Sequence, residues 1–95
     1  SLKNADNYLV DMAQKTVKQR LAEMLIKLDE KFGKDADGSL DIALSREDIA
    51  NIIGTATESA IRLLSEFKKK EIILLKGKSI TLINMKELHK IAQGF

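Results

Sequence analysis

Residues 44–70 read LSREDIANIIGTATESAIRLLSEFKKK, and the spacing of their apolar and capping residues predicts two short helices joined by a sharp turn at Gly54. Ile49, Ala50, Ile52 and Ile53 are the apolar positions of the first helix. Ala60, Leu63, Leu64 and Phe67 step by three, one and three along the second, which places them on one helical face. Ser45 with Asp48, and Thr55 with Glu58, each set a hydroxyl before a helix and an acid three residues later. That is the spacing at which a hydroxyl accepts from an otherwise unpaired backbone N–H and the carboxylate reaches back. Gly54 stands where the chain must reverse, because glycine alone adopts positive φ there without steric cost. Two capped helices around a glycine turn make a helix-turn-helix; an ordinary helical corner in an all-α core is the plainer alternative.

Outward from this stretch, Leu40, Ile42 and Leu44 alternate with Asp41 and Ala43 and predict a short strand leading in. After it, Ile72–Leu75 and Ile80–Ile83 flank Lys76-Gly77-Lys78-Ser79, a hairpin with its tip at 76–79. Asn84 with Glu87 opens a last helix whose apolar residues are Met85, Leu88, Ile91 and Ala92. Thr16 with Gln19 opens an earlier one, with Val17, Leu21, Leu25, Leu28 and Phe32 on one face, Met24 beside them, and Gly33 ending it. Three strand candidates beside a helix-turn-helix predict a mainly α fold with a small antiparallel sheet, a winged helix-turn-helix.

The 95 residues suffice for one domain, with 44% hydrophobic and 4% aromatic content predicting a core of Ile, Leu and Met. Without cysteine there is no disulfide framework and no thiolate metal site, and a single histidine leaves little for zinc or nucleophilic catalysis. An enzyme is not expected. No apolar run approaches a membrane span and no signal peptide is visible, so a soluble, cytoplasmic domain is expected. Residues 1–44 carry a net −1 and residues 45–95 a net +3, so the excess positive charge lies with the helix-turn-helix and suits a polyanionic partner. Asp35, Asp37 and Gly38 resemble the middle of a calcium loop, but Gly33 and Leu44 fall where the first ligand and the bidentate Glu would be needed. The 33–39 segment therefore reads as a polar loop. Leu2, Ala5, Leu9 and Met12 follow a coiled-coil rhythm over two heptads, which fits either the end of a dimerisation helix or a lead-in packed on its own domain.

In a helix-turn-helix the start of the second helix, here about 56–69, enters the major groove of double-stranded DNA. With Ala60, Leu63, Leu64 and Phe67 inward, Thr57, Glu58, Ile61 and Arg62 are the expected base readers. Arg62 can donate twice to guanine, Glu58 can accept from a cytosine amino group, and Ile61 or Thr57 can touch a thymine methyl. Glu58 is also the carboxylate of the Thr55 capping pair, and Ile61 could instead pack on the hairpin or the preceding helix. Phosphates are expected at Ser45 and Thr55, through helix-start N–H groups, and at Arg46, Lys76, Lys78 and Ser79. Lys68, Lys69 and Lys70 form a charge run at the helix C-terminus, more in keeping with a solvated end than with DNA. His89 lies on the polar side of the last helix with no second histidine to join it. The competing function is a winged helix that contacts protein and not DNA.

These residues resemble the C-terminal DNA-binding domain of the Crp–Fnr family of bacterial transcription regulators. That family's motif runs roughly T-R-x-[DE]-[IL]-A/G, then G, then R-E-T-V-x-R; Arg46, Asp48, Ile49, Ala50, Gly54, Glu58 and Arg62 stand at matching positions. The 20–28 stretch, RLAEMLIKL, is similar to the helix before the family's motif. The resemblance implies that residues 1–15 end a long dimerisation helix, that residues 16–95 form the DNA-binding domain, and that the full-length protein is a homodimer. It also implies no cofactor for these residues, the effector (a cyclic nucleotide or another) belonging to an N-terminal domain absent from this sequence. Thr57 replaces a usual arginine and Ile61 a usual small residue, so the half-site read should differ from the common one.

Overall fold

The computed structural model describes residues 15–95, so the heptad rhythm at 2–12 lies outside the described residues. Helix α1, Val17–Phe32, starts with a complete capping box: Thr16 Oγ1 accepts from Gln19 N at 3.0 Å and Gln19 Oε1 from Thr16 N at 2.9 Å. It buries Leu21, Ala22, Met24, Leu25 and Ile26. Phe32, expected inside, is 40% exposed. The helix is covered by two others, Arg46–Ile53 and Met85–Ala92, so the buried arc is wider than one stripe and reaches Ile26 instead.

Beyond Gly33 the loop folds around Asp35, whose Oδ1 accepts from Asp37 N at 2.9 Å and Ser39 N at 3.0 Å. The strand expected at 40–44 does not form. Leu40 makes an isolated bridge with Lys34 and donates its N–H to Ile80 O at 2.8 Å, and the chain then turns away. Ile42 and Leu44 still pack against the core. The alternation therefore reported which side chains point inward, while the backbone pairing of this segment stops at Leu40 and Asp41 and never becomes a ladder.

Helix α2, Arg46–Ile53, has both halves of its cap: Asp48 N donates to Ser45 Oγ at 3.0 Å and Ser45 N to Asp48 Oδ2 at 3.1 Å. Gly54 ends it at φ 73°, ψ 48°, in the left-handed region. Helix α3, Thr57–Lys69, follows and packs on α2, where Ala50 and Ala60 are both fully buried. The expected Thr55–Glu58 cap is absent: Ala56 occupies the N-cap and no side chain caps the helix. Its cause is the turn itself, since Thr55 N is committed to Ala50 O at 2.9 Å and the helix begins one residue later. Glu71, at φ 60°, ends α3 in the conformation glycine usually supplies, with Ile72 N donating to Phe67 O at 2.9 Å.

Strands β1, Ile73–Lys76, and β2, Ser79–Leu82, pair antiparallel with Lys76 opposite Ser79. The tip is thus two residues, Gly77-Lys78, with Gly77 at φ 59° in the first central position. Ile73, Ile80 and Leu82 face inward and Leu74 outward. Ser39 and Thr81 join their hydroxyls at 2.9 Å, a second tie between loop and hairpin. Helix α4, Met85–Ala92, is capped by Asn84 Oδ1 accepting from Glu87 N at 3.0 Å and lays Leu88 and Ile91 on α1. One core results, drawing on all four helices and both strands.

The α2 cap carries a pH dependence. Chiefly the Ser45 amide, then its hydroxyl, hold the Asp48 carboxyl below the usual carboxylate range, with the Lys78 charge adding a smaller pull. A carboxyl with a lowered folded-state pKa stabilises above its unfolded value, about pH 4, and loses that contribution as pH falls through the folded one. Thermal melts at pH 5 and pH 3 should therefore show a larger acid-induced drop in wild type than in Asp48→Asn. Equal drops would remove this cap from the acid response.

Candidate nucleic-acid interface

Helix α3 has two unlike faces. Ala60, Leu64 and Phe67 are buried and Leu63 is half-buried, as the apolar spacing requires. On the other side Glu58 and Arg62 are exposed, Ile61 is 45% exposed, and Thr57 is half-buried at the helix start. Among the described residues Glu58 has no hydrogen-bond partner, which follows from the missing cap and frees its carboxylate for an outside donor. Arg62 is held only by a long 3.4 Å contact from Nη2 to Ser59 Oγ, so its guanidinium can swing outward. Ile61 is left as apolar surface beside it. With no side-chain cap, the first-turn N–H groups of α3 also keep their capacity to bind an anion.

The expected phosphate contacts divide. The amides of Ser45 and Thr55 are not available, since each already donates within its own turn, and only the hydroxyls could serve. Lys76, Lys78 and Ser79 are exposed along and beside the hairpin tip. Arg46 is half-buried and donates from Nη2 to Gly77 O at 2.9 Å, joining the start of α2 to that tip. Lys68, Lys69 and Lys70 are exposed at the far end of α3, and His89 is exposed on α4.

Sequence reading missed one positioning residue altogether. Arg20 of α1 donates from Nε to Ile53 O at 2.7 Å and from Nη1 to Lys15 O at 2.6 Å. It satisfies a carbonyl at the end of α2, next to the Gly54 turn, and so ties that end of α2 to α1. Across the other side of α1, Lys18 Nζ lies 3.1 Å from Glu66 Oε2 of α3, an ion pair without the alignment of a full hydrogen bond. The Lys18 ammonium holds the Glu66 carboxyl below the usual carboxylate range.

Two helices about a left-handed glycine, with a hairpin behind the second, define a winged helix-turn-helix. A family model described as the Crp-like helix-turn-helix domain matches residues 19–91. The chain belongs to that family and is a DNA-binding domain of the transcription-regulator kind. It is 32% identical over 93 residues to the fumarate and nitrate reduction regulatory protein of Vibrio cholerae, covering 96% of this chain and 37% of that protein. It is 30% identical over 94 residues to a CRP-like cAMP-activated global transcriptional regulator of Mycobacterium tuberculosis, covering 97% and 42%. Among solved structures, FixK2 from Bradyrhizobium japonicum superposes with a TM-score of 0.73 at 28% identity, covering 94% of this chain and 44% of that one. The chain thus spans about two fifths of the length of the curated relatives it matches. Those relatives are regulators, not enzymes, and nothing among them favours a protein-contact module. Among the described residues no helix is long and apolar enough to cross a membrane.

Proposed function

We propose that this chain reads DNA sequence for a bacterial transcription regulator by laying α3 in the major groove. The observation that carries the reading is the outward stripe of Glu58, Ile61 and Arg62 on a helix whose opposite face buries Ala60, Leu64 and Phe67 in the core. In this reading Arg62 pairs with guanine, Glu58 accepts from a cytosine amino group, and Ile61 with Thr57 touches thymine methyls. Arg46, Lys76, Lys78 and Ser79, with the hydroxyls of Ser45 and Thr55, meet phosphates on either side. Residues 1–15 close a dimerisation helix, residues 16–95 are the DNA-binding unit, and a homodimer places two copies of α3 about 34 Å apart on a palindrome. An effector, a cyclic nucleotide or another ligand, binds a separate domain of the whole protein, which works in the cytoplasm where its operator lies.

The test is binding to random-sequence duplex DNA across a salt series, with sequencing of the retained fraction. Each neutralised phosphate contributes about −0.9 to the slope of log K against log salt, so a slope of several units is expected, with an enriched base pattern. No binding at low salt overturns the proposal. Salt-dependent binding without enrichment overturns the base-reading roles of α3 in this chain.

A further inference from the structure

The tip of the hairpin poses a mechanical problem. Two four-residue strands make a sheet that is marginal by itself, and the Gly77-Lys78 turn extends past its last pair, Lys76 and Ser79. A lysine at such a tip would spend much of its time away from any fixed phosphate. Yet the Gly77 carbonyl is not left to water: Arg46 Nη2 donates to it at 2.9 Å, across 31 residues of sequence. Arg46 is the first residue of α2, directly after the Ser45 cap, so its backbone is among the better fixed points in this region.

We propose that Arg46 is a positioning residue for the hairpin tip: its bond to the Gly77 carbonyl clamps the tip to the start of α2 and holds Lys78 at the phosphate backbone. Arginine suits the task because its guanidinium is a planar fork with five N–H donors, so one can hold a carbonyl while others face the DNA. Asp48, two residues further along α2, lies close enough to Lys78 for their opposite charges to attract. The rival assignment is that Arg46 and Lys78 are two independent phosphate contacts. The clamp deepens the DNA-binding reading and rests on it for the role of Lys78, though not for the existence of the clamp.

Two measurements on the 95-residue chain test it. First, ¹⁵N relaxation of the free protein reads the Gly77 and Lys78 amides directly. Order parameters near about 0.85 in wild type should fall below about 0.6 in Arg46→Ala, the step from rigid to flexible backbone. Alanine at the first position of a capped helix keeps the helix, so the change isolates the guanidinium. Unchanged order parameters overturn the clamp. Second, salt slopes on a random-sequence duplex are compared for wild type, Lys78→Ala, Arg46→Ala and the double variant. Lys78→Ala should flatten the slope by about 0.9 and Arg46→Ala by about 1.8, since it forfeits both phosphates, with the double variant no flatter than Arg46→Ala. Equal losses from Lys78→Ala in both backgrounds overturn the positioning role. If wild type itself binds no DNA, the DNA-binding reading falls, while the relaxation measurement still decides the clamp.

Discussion

Phe67→Ala should cost about 3–5 kcal/mol of stability, the range for emptying a buried aromatic site. Phe67 has no exposed surface, stands on the inner face of α3, and gives its carbonyl to Ile72 where the chain turns toward β1. The void would therefore open where α3, the hairpin and the helices beneath them meet. Small domains hold only about 5–15 kcal/mol in total, so the variant should be partly unfolded near physiological temperature. Urea denaturation followed by circular dichroism measures it. A cost under about 1 kcal/mol would mean the surrounding side chains collapse into the site, and that Phe67 does not anchor α3.

Arg62→Ala should act on recognition and leave the fold alone. Arg62 is exposed and only loosely tied to Ser59, so its loss removes no packing. On the enriched duplex the affinity should fall by about 1–3 kcal/mol, the worth of a bidentate guanine contact, which is roughly five- to 150-fold. The same selection repeated with the variant should lose its preference at one base position per half-site and keep the others. On unselected DNA the change should be limited to one charge. A uniform loss on all sequences would reassign Arg62 to a phosphate, and no loss at all would remove it from the interface.

How far the sequence carried these conclusions depended on the distance between interacting residues. Thr16 with Gln19 and Ser45 with Asp48 formed the capping boxes their spacing announced, because every partner lay within four residues. Thr55 with Glu58 had the same spacing and failed. The turn at Gly54 claimed the Thr55 amide first, and the register of α3 was set upstream of its own residues. Leu40, Ile42 and Leu44 were legible as inward-facing but not as lacking a ladder, since that depends on a backbone elsewhere. The outward face of α3 was legible from the positions of Ala60, Leu63, Leu64 and Phe67 alone. Arg20 on Ile53 and Arg46 on Gly77 were not, as they reach across 33 and 31 residues and leave no local pattern.

The stitching of the 39–40 loop to β2 bears on self-association. A two-stranded sheet has two open sides, and an open side can recruit an identical strand from another molecule. Here the Ile80 carbonyl is already occupied by Leu40, and the Ser39–Thr81 hydroxyl pair holds that loop in place. The opposite side is only the four residues of β1, ending in a lysine. At high concentration such domains would offer one another little backbone to polymerise on, although Leu74 and Ile83 stand exposed nearby.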